Sequence, residues 1–274
     1  MRGVDYSWGR PTPSRLVELG FSFIMRYLIY PGHGGKGLTR EEREAATAQG
    51  LAVGVVFEKT DSRTLDGFSA GVQDAREAEE GLAIAGLPRD QVVYFAVDFN
   101  AQPSHYPAVL DYFRGVVSVR PVLCVGAYGG LYVLEMLRTN GVASWFWQAG
   151  AASWSGYQRY PYAHIIQGAG ATIDGHSVDY NETFGSEQGL YTEESAVTVK
   201  QYEDLVISCY SGKEEKDLPR AKRLENALYR MNEVVEGRSP SINDRAASAW
   251  VIATRVAVAL GALGAVIQGL NIVT

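Results

Sequence analysis

The chain has 274 residues, enough for one large domain with an appendage, and its composition carries no low-complexity tract. A formal net charge of -6 argues against a nucleic-acid partner, which would need a basic surface to displace phosphate counterions. Two cysteines, Cys124 and Cys209, are too few for a disulfide framework and lack the spacing of a metal site; Cys124, inside an apolar run, reads as a small buried hydrophobe.

The first strand-like run, Gly3–Tyr6, begins almost at the first residue, so no cleavable export signal is expected. A short helix over Pro13–Leu19 leads to a second strand, Ser22–Tyr27, and then to a Gly-rich loop, Pro31–Gly37, that carries His33. Thr39–Gln49 opens with the capping-box pair Thr39 and Glu42 and stops at Gly50, which predicts a helix. A third strand, Ala52–Phe57, is followed by the helix Asp66–Ala85, with Val72, Ala75, Ala78, Leu82 and Ala85 at helical spacing before Gly86. The fourth strand, Val92–Val97, precedes a helix over Ser104–Val117. The fifth, Val122–Ala127, precedes one over Gly130–Asn140. Three more strand-length runs follow with no helix between them: Ala143–Trp147, His164–Gln167 and Ser177–Tyr180.

Strand–helix alternation favours a parallel sheet. Eight runs in under 200 residues predict an α/β fold, an irregular, incomplete TIM-like (β/α) barrel over residues 1–185 with helices missing between the last strands. A doubly wound open sheet is the alternative, disfavoured by the lack of a Gly-rich phosphate loop after the first strand. Residues 186–195 read as a polar linker and 196–245 as a helical segment, with Val199, Tyr202, Leu205, Val206 and Cys209 on one face. The stretch 246–274 carries one formal side-chain charge, Arg255, and predicts a hydrophobic C-terminal helix about 40 Å long. That tail suits membrane contact, self-association or packing on its own domain.

In a (β/α) barrel the working residues sit at the C-terminal ends of the strands. The first, third, fourth and last runs end in Asp5, Glu58, Asp98 and Asp179, and alternation that turns Glu58 inward turns Val56 and Gly54 inward as well. Converging carboxylates repel one another, so at least one holds its proton more tightly than a free side chain, the situation glycosidases use. The oxygen ligands would also suit Ca²⁺ or Mg²⁺, yet no loop has the dense Asp/Asn spacing of a dedicated site; neither metal nor cofactor is expected. Tyr6, Arg26, Tyr128, Trp147 and Gln167 fall beside the same strand ends and are candidate substrate contacts. Aromatic rings there would stack on sugar faces, and Arg26 would pair with Asp5 or Asp179.

Four phrases carry a resemblance: Gly3-Val4-Asp5-Tyr6-Ser7, Tyr94-Phe95-Ala96-Val97-Asp98, Gly126-Ala127-Tyr128-Gly129-Gly130 and Val178-Asp179-Tyr180-Asn181. In order through residues 1–185, they resemble the glycoside-hydrolase-like domain once labelled DUF1906, similar in outline to family 25 glycoside hydrolases, the Chalaropsis-type lysozymes. The resemblance implies a TIM-like barrel acting on peptidoglycan glycan strands. In phage it implies an endolysin or virion-associated lysin, made in the host cytoplasm and acting at the wall after release or from a virion. Family 25 enzymes carry Asp-x-Glu at the fourth strand, with the Glu as proton donor, where this chain has Asp98-Phe99-Asn100. Glu58, similar to an acid in the DUF1906-type domains, would then be the general acid. Asp98 would be base or electrostatic partner, with Asp5 and Asp179 positioning substrate or water. A non-catalytic glycan-binding module is the alternative that Asn100 favours, and an assembly protein joined through its C-terminal helices is a third.

Overall fold

The computed structural model describes residues 1–31, 35–184 and 189–193. Part of the Gly-rich loop, half of the 186–195 linker, Cys209, the helical segment 196–245 and the tail 246–274 lie outside the described residues. A first compact unit runs from Met1 to Thr192.

Eight strands close into one barrel in sequence order. They are β1 (Arg2–Asp5), β2 (Phe23–Tyr27), β3 (Ala52–Phe57), β4 (Val93–Ala96), β5 (Val125–Gly129), β6 (Trp145–Gln148), β7 (Ile165–Ile173) and β8 (His176–Thr183). Neighbours from β1 to β7 pair in parallel, whereas β8 runs antiparallel to both β7 and β1 and closes the ring. Five helices occupy the crossovers: α1 (Pro13–Glu18), α2 (Arg40–Ala48), α3 (Gly67–Ala85), α4 (Tyr106–Val117) and α5 (Leu131–Thr139). No α-helix follows β6 or β7 among the described residues, so the barrel is a TIM-like one whose sheet is complete and whose helical layer is not.

The local chemistry explains the boundaries. Thr39 caps α2 by accepting a hydrogen bond from the Glu42 N–H at 3.2 Å, while Glu42 turns its carboxylate to Arg26 instead of closing the capping box. Gly86 ends α3 in the left-handed conformation, φ 68°. The fifth strand starts later than its apolar run predicts, because Val122–Cys124, following Pro121, forms a 3₁₀ turn. Cys124 is buried there, as expected of a small hydrophobe.

Strand alternation builds two apolar layers. Phe23, Met25, Val56, Tyr94, Ala96, Trp147 and Ile165 fill the barrel interior. Phe57, Phe95 and Phe146 are buried together with Leu82, Phe113 and Leu134 from the helices. Interior bulk is matched by glycine on the adjoining strand: a Cβ on Gly126 would come within 2.6 Å of the Tyr94 ring. At the opposite end from the mouth, Tyr191 forms an isolated antiparallel bridge to Val53, and Gln91 Nε2 donates to the Gly189 carbonyl at 2.6 Å. Residues 189–191, read from sequence as linker, thus contact the start of β3 and the residues before β4. No helix among the described residues is long and apolar enough to cross a membrane.

Candidate active site

The mouth at the C-terminal ends of the parallel strands holds a pocket lined by Asp5, Tyr27, Val56, Glu58, Asp98, Tyr128, Trp147 and Gln167. Each lining residue comes from the inward face of its strand or from one of the two positions beyond it. Asp5 ends β1, Tyr27 ends β2, Glu58 follows β3 and Asp98 lies two residues beyond β4. Of the candidates from sequence, the structure therefore brings together Asp5, Glu58, Asp98, Tyr128, Trp147 and Gln167.

The same alternation carries Tyr6 and Arg26 away from the pocket, because their neighbours Asp5 and Tyr27 point in. Arg26 is fully buried beneath α2. Its Nε meets Glu42 Oε1 at 2.7 Å, in place of the expected pairing with Asp5 or Asp179. Its other nitrogens donate to the carbonyls of Tyr6, Ser7 and Lys36, and its guanidinium lies 4.3 Å from the Tyr6 ring centroid. Burial alone would raise Glu42, but Arg26 and Arg10 outweigh it and hold the carboxyl below its ordinary range. Arg10 also donates to the carbonyls of Gly35 and Gly37 at 3.2 and 3.0 Å. Together these two arginines fasten the described part of the β2–α2 loop. Asp179 is the cross-strand partner of Asp5 but does not line the pocket; a carboxylate oxygen of it stands 3.0 Å from where a Gly170 Cβ would lie.

Three carboxylates converge on one side of the mouth: Glu58, Asp98 and Asp61, with ligand atoms all within 4.8 Å of one another. Sequence reasoning missed Asp61, three residues beyond Glu58 in the β3–α3 loop. Burial is the main influence that raises both Glu58 and Asp98, with added repulsion from Asp61 on each. Lys36 opposes this, its Nζ lying 3.7 Å from Glu58 and 4.0 Å from the Tyr27 ring centroid. The trio has the donor spacing a hard cation would use.

The loop carrying Glu58 and Asp61 is pinned from behind. Asp74 on α3, fully buried, takes Lys59 at 3.2 Å, Arg63 at 2.8 Å and the Tyr112 hydroxyl at 2.9 Å. Lys59 directly follows Glu58, and Lys59 and Arg63 flank Asp61, so one buried carboxylate holds the segment at two points. No sequence signal singled out Asp74, which looks like any polar position on an amphipathic helix.

Across the mouth lies a second polar set. Asp5 accepts from Gln167 Nε2 at 3.2 and 3.0 Å and from Asn181 Nδ2 at 2.6 Å. Trp147 Nε1 donates to Asn181 Oδ1 at 2.9 Å, and Tyr128 donates to Gln167 Oε1 at 2.8 Å. Burial chiefly raises Asp5, to about 7, with the two amides pulling it down and Asp179 pushing it up. Asn100, the residue in place of a family 25 glutamate, is exposed and accepts from Gln102 Nε2 at 3.0 Å; it does not line the pocket.

A barrel with acids at its mouth is shared by many hydrolases, so kinship decides the family. Residues 14–183 match the model of the Rv2525c-like, glycoside hydrolase-like domain. The chain belongs to that family. The Mycobacterium tuberculosis (strain ATCC 25618 / H37Rv) protein Rv2525c, provisionally named a peptidoglycan hydrolase, is 28% identical over 69% of this chain and 82% of its own length. The crystal structure of this Tat-secreted protein in complex with HEPES superposes with a TM-score of 0.65 at 27% identity, covering 69% of this chain and 98% of that one. An uncharacterized B. stearothermophilus protein shares the fold, with a TM-score of 0.53 at 22% identity over 70% of this chain and all of its own. Because Rv2525c is Tat-secreted, it lends no support to the expectation that delivery proceeds without an export signal.

Proposed function

We propose that this family member is a peptidoglycan glycosidase of lysozyme type, with Glu58 as general acid and Asp98 as its carboxylate partner. The observation that carries the reading is the convergence of Glu58 and Asp98 at one mouth, both pushed toward the protonated form by burial and by Asp61. Only one of two such close acids ionises easily, which leaves a proton on the other for the leaving oxygen. Of the two, the reading gives the proton to Glu58 and leaves Asp98 ionised. Tyr27, Tyr128 and Trp147 supply ring surface for a pyranose. Membership of a glycoside hydrolase-like family and the name given to Rv2525c support the substrate class. The cell wall is then the place of action. One oxygen each from Glu58 and Asp98 lie within 4.8 Å of one another. Retaining enzymes hold their carboxyl groups about 5 to 5.5 Å apart and inverting ones about 6.5 to 9.5 Å, so the reading includes retention at the anomeric carbon.

The test is product analysis on purified peptidoglycan with the full chain. Release of reducing ends whose initial anomer matches the substrate, lost on Glu58→Gln, supports the reading. A second reading, a glycan-binding module without hydrolysis, draws on Asn100 standing where family 25 enzymes carry their proton donor. Saturable wall binding with no reducing ends would favour it.

A further inference from the structure

The two amides on Asp5 are not free to turn over. Amide oxygen and nitrogen are nearly identical in shape, so their neighbours decide which end faces the carboxylate. Asn181 Oδ1 is held by the indole N–H of Trp147 at 2.9 Å, and Gln167 Oε1 by the backbone N–H of Gly150 at 3.0 Å. Neither group can accept a hydrogen bond. Flipping either amide would therefore set N–H against N–H at one end and oxygen against carboxylate at the other. The second Asn181 proton has its own acceptor, the Asp179 carbonyl at 3.3 Å. Asp5 thus meets donors from β7 and β8 alike.

We propose that Asn181, locked by Trp147, is a positioning residue that fixes Asp5 as a hydrogen-bond acceptor, so that Asp5 serves the mouth ionised and not as its proton donor. Oδ2 accepts from both amides, at 3.0 and 2.6 Å, and Oδ1 from Gln167 alone at 3.2 Å, so a proton on Asp5 would displace at least one of these contacts, whereas a carboxylate accepts all three. Burial opposes this most strongly and brings Asp5 to about 7, with Asn181 the largest pull in the other direction. The remaining charged or titratable neighbours are Asp179 on β8, which raises it, Arg26 on β2, which lowers it, and the hydroxyls of Tyr27 on β2 and Tyr128 on β5. Near neutrality these influences balance, so losing one oriented amide tips Asp5 to the protonated side. Among the described residues Glu58 has no such amides; its hydrogen-bond and ion-pair partner is Lys36. The mouth is thereby divided between an acceptor acid and a proton-holding acid. The catalytic half of this division rests on the glycosidase reading, while the state of Asp5 does not.

The experiment follows the Asp5 side-chain carboxyl by ¹³C NMR across pH in the full chain, assigned with Asp5→Asn, beside the pH profile of reducing-end release. Asn181→Asp keeps an oxygen for Trp147 but replaces the donor with a second acid; Trp147→Phe keeps an aromatic ring but removes the indole N–H, and with it the lock and part of the core packing. Asn181→Asp is expected to raise the Asp5 midpoint by at least one pH unit, and Trp147→Phe to raise it by less. In Asn181→Asp the acid limb of kcat/KM moves up with it, while KM changes little; Trp147→Phe is read by the Asp5 midpoint alone. Asp5 midpoints that coincide with wild type in both folded variants overturn the proposal. So does a fall in either one. Titration shifts as expected in a protein that releases no reducing ends would uphold the lock and reject the glycosidase reading alone.

Discussion

Arg26 shows how one residue's burial sets what its partners are worth. Its guanidinium has no solvent exposure, and Glu42 is the carboxylate that pairs with it at 2.7 Å. Replacing Glu42 by Ala leaves a buried charge without its counter-ion, a loss on the order of 3–5 kcal/mol. A lowered urea midpoint with an unchanged slope is the expected readout, and a loss below 1 kcal/mol would show that water reaches Arg26. Glu58 behaves in the opposite sense. Burial and its acidic neighbours disfavour its charge, so Glu58→Gln is expected to abolish activity and to stabilise the fold near neutral pH by about 1 kcal/mol. The expected rise in melting temperature, about 2–4 °C, is checked by calorimetry. Asp5, Glu58 and Asp98 were legible in sequence because they end strands, and the barrel rule points there. Arg26 and Tyr6 were misplaced because a strand end defines a position along the axis, while the face depends on the pleat. Asn181 and Asp61 were not legible as site residues. One reaches the mouth only because β8 runs antiparallel, and the other because a loop folds back.

Among elements, the β7–β8 hairpin departs furthest from a regular (β/α) barrel. Ile165 and Ile166 pair with β6, whereas Gly170–Ile173 pair only with β8. The hairpin therefore extends past the ring, and it turns through Asp174 and Gly175, both with positive φ, as a two-residue turn requires. A short apolar run could not reveal this length, since Gly168, Ala169 and Gly170 offer no alternating pattern. The five helices were legible because capping and apolar spacing agree with the tertiary fold. Tyr157, φ 61°, is the non-glycine residue with positive φ that no hairpin turn explains, and its ring is 82% exposed. Left-handed backbone costs such a residue about 1–2 kcal/mol, while its exposed ring returns little. Tyr157→Gly is accordingly expected to raise stability by up to about 1 kcal/mol after the entropy of glycine is counted. A lower melting temperature would show that the ring packs in solution.

For the whole molecule, acids raised at the mouth tie stability to pH. Asp5, moved from its ordinary 3.8 to about 7, contributes stability fully below pH 4 that is lost as pH rises through 7. Glu58, Asp98 and Asp179 are raised too and act in the same direction, while Glu42, which is lowered, opposes them only at acid pH. The melting temperature is therefore expected to fall between pH 5 and 8, and Asp98→Asn to flatten that slope. A slope of the opposite sign would mean that the mouth acids are solvated. Ionised acids crowded in this way cost stability, a cost the fold carries because the same crowding holds a proton ready for transfer. The most direct measurement is reducing-end release from purified peptidoglycan by the full chain, with Glu58→Gln and Asp98→Asn in parallel. Release by the wild type that falls at least a hundredfold in each variant is the predicted result. Release that persists undiminished in both variants would contradict the account.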